Sequence, residues 1–265
     1  MKLNNSFAAP HTSREMDIGG VLDTHSHVLP AMDDGASNLS ESLAMLGEAW
    51  SQGVRKMAAT PHFYAERENP ESFLKRRERA VAELTEGGYQ PGIKHPLLYV
   101  GAEVAFFSGM SRSRHLPDLC LGGTRVLLIE MPFERWSESV ISEVLEIRSA
   151  TGLIPVIAHV ERYIGYQRGS TLDRLISGGV LIQSNCEYFT DKKTAKKALK
   201  LLGQGGIHLI GTDAHGMTER VPNLINGAEK ILNAKFGEEM LDEIARCSEF
   251  VLRNATPVKI PETVE

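Results

Sequence analysis

The stretch DTHSHVLPAMDDG, residues 23–35, follows the first two residues of a short apolar run at residues 21–24. It sets His25 and His27 two residues apart, so in an extended strand both side chains would share one face and could bind one ion. Two hydrogen-bonded histidines on a half-buried strand are an equally good interpretation, and the DDG that ends the stretch could be a simple turn. Alone, the stretch therefore leaves a metal site open.

Other histidines and carboxylates stand where further apolar, strand-like runs end. Glu103 and Glu130 each interrupt such a run, where an unpaired charge is costly, although an ion-pair partner could satisfy either one. If the strand ends converge, imidazoles and carboxylates from six distant segments meet. That convergence predicts a site for two or three divalent ions, and the lack of a thiolate suits Mn, Fe or Zn. The predicted ligands are His25, His27, Asp34, His62, Glu103, Glu130, His159, Asp213 and His215.

Apolar runs alternate with longer amphipathic runs along the whole chain, which predicts an α/β fold with parallel strands and helical crossovers. Seven strands and a comparable number of helices favour one α/β barrel over two domains. Residues 20–265 are expected to form that domain, and residues 1–19 a loosely ordered arm. Six of the seven predicted strands carry a candidate ligand at the carboxyl end, whereas the strand at 180–186 carries Gln183 and Asn185, which are poor metal ligands.

Composition excludes several classes of protein. The chain has 265 residues, an apolar fraction of 42% and a net charge of −5, so a sizeable core is expected and neither nucleic acid nor an anionic membrane is an expected partner. No apolar run is long enough to span a membrane, and the N-terminus lacks the apolar centre of a signal peptide. Three cysteines without a CxxC pair indicate a reducing compartment, and we expect the cytoplasm.

A cysteine-dependent mechanism finds little support. Cys247 has Arg253 six residues later, but the bulky residues between them predict a helix and cannot present a row of amide groups to a phosphate. Cys120 has its arginine, Arg125, one residue too close. The histidines outside the predicted ligand set, His11, His95, His115 and His208, are expected at the surface or in loops.

The string DTHSHVLPAMDDGA, followed in order by ATPHF, GAEV, LIEM, PVIAHVERY and GTDAHG, resembles the polymerase and histidinol phosphatase (PHP) superfamily over residues 20–255. The resemblance is to its branch of bacterial manganese-dependent tyrosine-protein phosphatases from capsule and exopolysaccharide loci. It implies a distorted seven-stranded, TIM-like (β/α)7 barrel with three metals. By position, one ion would be held by His25, His27, Glu103 and Asp213, a second by Asp34, His62 and His215, and a third by Glu130 and His159, with Glu103 bridging to the first.

The same resemblance implies that Arg162 and Arg220 bind phosphate, although a surface salt bridge with Glu161 is an alternative for Arg162. The expected activity is hydrolysis of phosphotyrosine by a metal-bridging hydroxide, on a bacterial tyrosine autokinase that regulates polysaccharide export. A phenol has a pKa of about 10 and needs no strong general acid to leave. Two rival interpretations stay open: a small-molecule phosphatase acting, for instance, on histidinol phosphate, and a metal-stabilised binding protein without activity.

Overall fold

The computed structural model describes residues 21–88 and 93–261, so the predicted arm at residues 1–19 lies outside the described residues. Strands and helices alternate, as predicted. The strands are β1 (Val21–Asp23), β2 (Val54–Ala59), β3 (His62–Phe63), β4 (Leu97–Val100), β5 (Glu103–Ala105), β6 (Val126–Glu130), β7 (Ile154–Ile157), β8 (Leu181–Asn185) and β9 (Leu209–Gly211). The helices are α1 (Leu39–Ser51), α2 (Pro70–Gly87), α3 (Leu116–Leu119), α4 (Glu138–Thr151), α5 (Gly169–Ser177), α6 (Cys186–Thr190), α7 (Ala195–Gly203), α8 (Ile225–Phe236) and α9 (Glu238–Val251).

The helices start and stop where the sequence signals indicate. Asn38 precedes α1 and its side chain accepts a hydrogen bond of 3.0 Å from the backbone N of Glu41. Ser137 caps α4 in the same way, because a short polar side chain can satisfy a free amide of the first turn. Gly53, with φ of 91°, follows the end of α1 in a conformation that only glycine adopts without strain. The turn from α1 to β2 therefore takes only two residues, Gln52 and Gly53.

The strands run parallel within two sheets, a three-stranded sheet of order β1-β2-β4 and a six-stranded sheet of order β3-β5-β6-β7-β8-β9. The α/β class and the parallel arrangement are thus confirmed, whereas a seven-stranded barrel is not confirmed by this pattern. The difference arises because a predicted strand at 97–104 breaks into β4 and β5, and because β3 forms beyond Pro61, which has no N–H to continue β2.

Backbone hydrogen bonds continue across these breaks. Gly101 N donates to Ala59 O at 2.9 Å, and Glu103 N donates to Pro61 O at 3.0 Å. Asp213 N donates to His25 O at 2.8 Å, which ties the segment after β9 to the segment after β1. Backbone hydrogen bonds therefore connect these segments, which carry predicted ligands, to one another.

The buried side chains form a large cluster between strands and helices and a smaller cluster that includes Val126, Leu128, Val156 and Leu181. Both faces of the strands are apolar, as expected for a parallel sheet covered on each side. Because side chains alternate along a strand, Glu130 lies on the same face of β6 as Val126 and Leu128. Polar side chains therefore border the smaller cluster at the carboxyl ends of the strands.

Candidate metal centre

The structure brings all nine predicted ligands together. Each lies at the end of a strand or in the segment that follows one, and His62 and Glu103, which follow β2 and β4, also open β3 and β5. Glu103 is the centre of the group. Its side chain is fully buried, and its Oε2 atom lies 3.2 Å from His25 Nε2, 3.4 Å from His27 Nε2 and 3.0 Å from His62 Nδ1. With three imidazole nitrogens around one carboxylate oxygen, Glu103 would be able to hold a cation together with these histidines.

Asp213 completes the first predicted group from the opposite side. Its Oδ1 atom lies 3.7 Å from His25 Nε2 and 3.5 Å from His27 Nε2. Burial raises the pKa of Asp213, but the charges of His25 and His27 and a hydrogen bond from His27 outweigh burial and hold that pKa well below its usual range. Asp213 is therefore a carboxylate at any physiological pH.

The second predicted group also assembles. Asp34 Oδ1 lies 3.4 Å from His215 Nε2 and 3.7 Å from His62 Nε2, and one ligand atom from each of these residues and His27 falls within a cluster 4.8 Å across. Asp34 is the exposed member, because its side chain retains 63% of its accessible surface. This group is open to solvent on the Asp34 side.

The third group is arranged differently from the expectation. His159 Nε2 lies 2.7 Å from Glu103 Oε1 and 3.9 Å from Glu130 Oε1. The compact triad around Glu130, however, contains Glu103 and His62, with His62 Nδ1 at 4.0 Å from Glu130 Oε2. His62 therefore faces two groups through its two ring nitrogens, a role that the sequence did not indicate.

The donor atoms fit cations. Five buried atoms of the set make no hydrogen bond within the described residues: His25 Nδ1, His62 Nδ1, Glu103 Oε2, His159 Nδ1 and His215 Nε2. His25 Nε2 and His27 Nε2 also face each other at 3.2 Å. Buried polar atoms are normally paired, and two ring nitrogens can approach this closely when a shared cation lies between their lone pairs.

The charge states agree with that fit. Burial holds the pKa of His159 below its usual value and lowers the pKa of His215 to about 4, so both rings are neutral near pH 7. Burial also lowers the pKa of His25, but the charges of Glu103 and Asp213 outweigh burial and raise it. Without a cation, this end of the cluster takes up protons, and a bound metal would replace them.

Asp33, which was not among the predicted ligands, orients two of them. Its Oδ2 atom lies 2.7 Å from His27 Nδ1 and accepts a hydrogen bond of 2.7 Å from the backbone N of His62. Burial raises the pKa of Asp33, but the hydrogen bond and charge of His27 outweigh burial and bring that pKa to about 2. Such a carboxylate fixes the imidazole tautomer, leaving Nε2 free to bind metal. The DDG motif was the available signal.

Gln183 and Asn185 on β8 form a second support. The backbone N of His159 donates to Gln183 Oε1 at 2.6 Å, Gln183 Nε2 donates to Asn185 Oδ1 at 3.0 Å, and Asn185 Nδ2 donates to Asp213 Oδ2 at 3.0 Å. His159 and Asp213 both have positive φ, at 30° and 52°. The buried amides therefore connect two residues in a backbone conformation that side chains disfavour.

Both predicted phosphate-binding arginines lie at the rim of the cluster. Arg162 Nη2 donates to Asp213 Oδ2, and Arg220 lies 3.4 Å from the same oxygen and 3.5 Å from Asp34 Oδ2. The side chains of Arg162 and Arg220 are 31% and 35% exposed, so each guanidinium is accessible from outside. Arg162 does not form the alternative surface pair with Glu161, because Glu161 is turned inward and accepts hydrogen bonds from Ser184 Oγ and Asn185 N.

Of the remaining histidines, His95 and His208 lie in loops, as expected, but not at the surface. His95 and His208 are buried, and His208 Nδ1 accepts a hydrogen bond of 3.1 Å from Ile182 N. They lie two residues and one residue before β4 and β9, and sequence alone does not distinguish such a buried position from a surface loop. His115 is partly exposed beside Glu71 and Asp118, as expected, and His11 lies outside the described residues.

The cysteines are poor nucleophiles. Burial raises the pKa of Cys120 to about 12 and of Cys247 to about 11, and it raises the pKa of Cys186 well above its usual value. Cys247 lies on α9, as predicted, so no phosphate-binding loop surrounds it.

Among the residues that the structure describes, no helix is both long and apolar enough to cross a membrane.

Comparison with known proteins gives matches along nearly the whole chain. The family described as capsular polysaccharide synthesis, CpsB/CapC, matches residues 21–252. Tyrosine-protein phosphatase YwqE of Bacillus subtilis (strain 168) is 31% identical over 254 residues, covering 91% of this chain and 95% of that protein. Tyrosine-protein phosphatase CpsB of Streptococcus agalactiae serotype V is 29% identical over 238 residues, covering 84% of this chain and 94% of that protein.

A solved structure agrees. A chain from the crystal structures of YwqE from Bacillus subtilis and CpsB from Streptococcus pneumoniae, described as metal-dependent tyrosine phosphatases, superposes with a TM-score of 0.75 at 25% identity. The match covers 92% of this chain and 100% of that one. The sequence and the fold therefore point to the same group of proteins.

Proposed function

Since the chain belongs to the CpsB/CapC family of capsular polysaccharide synthesis proteins, we propose that it is a metal-dependent tyrosine-protein phosphatase that hydrolyses phosphotyrosine on a protein. The observation that carries this function is the convergence of nine imidazole and carboxylate side chains, five of them with unpaired buried atoms, beside two accessible arginines. The relatives YwqE and CpsB are named tyrosine-protein phosphatases, which favours this function over that of a small-molecule phosphatase.

The proposed ligand sets follow the three groups of donor atoms. One cation would be held by His25, His27, Glu103 and Asp213, a second by Asp34, His62 and His215, and a third by Glu130 and His159 with Glu103 shared. The distances from Glu103 and Asp213 support the first set, and the cluster around Asp34 supports the second. Manganese is the proposed ion, with iron and zinc as alternatives that the same ligands accept.

Divalent ions bound there would lower the pKa of a bound water and neutralise phosphoryl oxygens. The chain itself supplies orientation. Arg162 and Arg220 both reach Asp213 Oδ2, and each can donate planar, two-pronged hydrogen bonds to a phosphoryl group at the rim. Asn185 holds the same oxygen, so Asp213 keeps its Oδ1 directed at the histidines. Because a phenolate leaves readily, no separate acid is required.

The backbone hydrogen bonds between segments and the role of the family support two further proposals. The hydrogen bonds between the segments after β1 and β9, and those across Pro61 and Gly101, support a distorted seven-stranded barrel in which residues 20–265 form one phosphatase domain. The role of the family in capsular polysaccharide synthesis supports a tyrosine autokinase as the phosphorylated partner, in the cytoplasm.

The proposal is tested with purified protein and a phosphotyrosyl peptide. We expect phosphate release in the presence of manganese, loss of activity with a chelator and recovery when the ion is restored. Glu103→Gln, which removes the central carboxylate without changing its size, should abolish turnover. Failure to release phosphate with manganese, iron or zinc would contradict the function.

Two comparisons separate the rival interpretations. A higher kcat/KM on histidinol phosphate than on the peptide would favour the small-molecule phosphatase. A Glu103→Gln protein that loses thermal stability, while neither it nor the wild type shows turnover, would favour a binding protein that uses metal only to fold.

A further inference from the structure

Four large hydrophobic side chains are exposed in the described part of the chain: Phe133 at 54%, Tyr166 at 53%, Ile93 at 41% and Met217 at 37%. Three of them, Phe133, Tyr166 and Met217, lie in the loops that follow β6, β7 and β9. They therefore stand at the same edge of the sheets as the candidate metal centre. Ile93 precedes β4 and lies toward the opposite edge.

Phe133 has the most direct relation to the site. It comes three residues after Glu130, and its ring centroid lies 6.4 Å from the imidazole of His159 with the two planes only 18° apart. The ring of Tyr163, a fully buried residue, packs against the ring of Phe133 with 5.2 Å between the two centroids. His159 in turn lies 2.7 Å from Glu103. The ring thus lies beside the metal cluster, and the residue keeps 54% of its accessible surface.

A second aromatic residue stands across the cluster but is already covered. The ring of Tyr64 lies 5.2 Å from the imidazole of His62, and the guanidinium of Arg67 lies 4.1 Å above its centroid. Arg67 therefore occupies one face of Tyr64, and His62 lies beside the ring. Among the aromatic residues of these loops, Phe133 combines an exposed fraction of 54% with a ring contact to a candidate ligand, His159.

We propose that Phe133 binds the phenyl ring of the phosphotyrosine and thereby selects aryl over alkyl phosphates. The inference rests on the proposed function and adds the substrate's leaving group to it. In an aryl phosphate the ring begins one oxygen beyond the phosphorus. A phosphoryl group held between the metal ligands and Arg162 therefore places that ring at the rim, where Phe133 lies. Two aromatic rings with centroids about 4.5–7 Å apart attract each other beyond simple burial.

The test compares two phosphonates that cannot be hydrolysed. Phenylphosphonate and methylphosphonate share the charged head, and only the first carries a ring. Isothermal titration calorimetry on manganese-loaded protein should show that the wild type prefers phenylphosphonate. Phe133→Ala should weaken phenylphosphonate binding by about 3- to 10-fold, the strength of one aromatic pair, and leave methylphosphonate within about twofold.

Two further variants make the result specific. Phe133→Tyr keeps the ring and should retain the preference, whereas Ile93→Ala removes an exposed hydrophobic side chain away from the cluster and should change neither affinity. With phosphotyrosyl peptide as substrate, Phe133→Ala should raise KM more than it lowers kcat.

The inference is overturned if wild-type protein does not bind phenylphosphonate more tightly than methylphosphonate, or if Phe133→Ala weakens both equally or neither. These outcomes are independent of turnover. A protein that shows the ring preference but no hydrolysis of phosphotyrosine would refute the proposed function and not the role of Phe133.

Discussion

Replacing Asp33 with asparagine should weaken metal binding, because no orientation of an amide can satisfy the contacts of this carboxylate. Asp33 Oδ2 faces His27 Nδ1 and the backbone N of His62, each at 2.7 Å, while Oδ1 accepts a hydrogen bond of 3.0 Å from Gly35 N. An amide has one accepting and one donating end. In either orientation, its NH2 group would face a backbone N–H.

The effect reaches the metal through the tautomer of His27. If the NH2 group faces His27, Nδ1 must accept and the proton moves to Nε2, the atom that lies 3.4 Å from Glu103 and 3.5 Å from Asp213. Losing a hydrogen bond to a charged group costs about 1.5–3 kcal/mol, which corresponds to roughly 10- to 100-fold in affinity. Changes to the partners of ligating histidines have effects in the same range.

The affinity can be measured by competition with a chromophoric manganese chelator at neutral pH. Glu138→Gln is the matched control, since it also converts an acid to its amide but lies on the surface, paired with Arg174, with a side chain 79% exposed. Circular dichroism confirms that each variant is folded. A folded Asp33→Asn protein whose manganese affinity stays within about twofold of the wild type would refute the tautomer argument.

Three other predictions follow from the site and its surroundings. Arg162→Ala should lower kcat/KM on a phosphotyrosyl peptide by on the order of 10²-fold, and Arg162→Lys should recover only part of that loss because it lacks the planar fork; full recovery by lysine would contradict two-pronged binding. Burial lowers the pKa of His208 from 6.5 to about 4, so the unfolded chain binds more protons between these values and stability should fall by roughly 3 kcal/mol as the pH drops through that window. Denaturant unfolding of the metal-free protein should show a smaller loss for His208→Gln, and equal losses would disprove the burial argument. Cys247→Ser should leave phosphatase activity unchanged, and an inactive variant would revive a cysteine mechanism.

The sequence predicted which residues lie together at the candidate site better than it predicted the contacts between them. All nine predicted ligands converge, because each lies at the end of a parallel strand or in the segment that follows one, and parallel strands bring those ends to one edge. The groups are less regular than the expected ligand sets, since His62 faces both Asp34 and Glu103. Which nitrogen of a ring faces which carboxylate depends on side-chain torsions that a spacing pattern does not contain.

Residues that hold the ligands were mostly missed. Gln183 and Asn185 were noted only as poor ligands, yet they link the backbone of His159 to Asp213. A surface pair with Arg162 was the alternative for Glu161, but its carboxylate accepts hydrogen bonds from β8, and partial burial there raises its pKa to about 7. These roles depend on contacts between segments far apart in the chain.

The local pattern of the chain determined its α/β class, the order of its main strands and helices and which residues are candidate ligands, because side-chain alternation, helix caps and the placement of charges after apolar runs are short-range properties. Tertiary structure alone decided how the strands divide between two sheets, that Asp33 contacts His27, and that Arg162 donates a hydrogen bond to Asp213. The physical reason is that those outcomes depend on which distant groups are left unpaired once the chain is compact, because most buried polar atoms then pair with one of them.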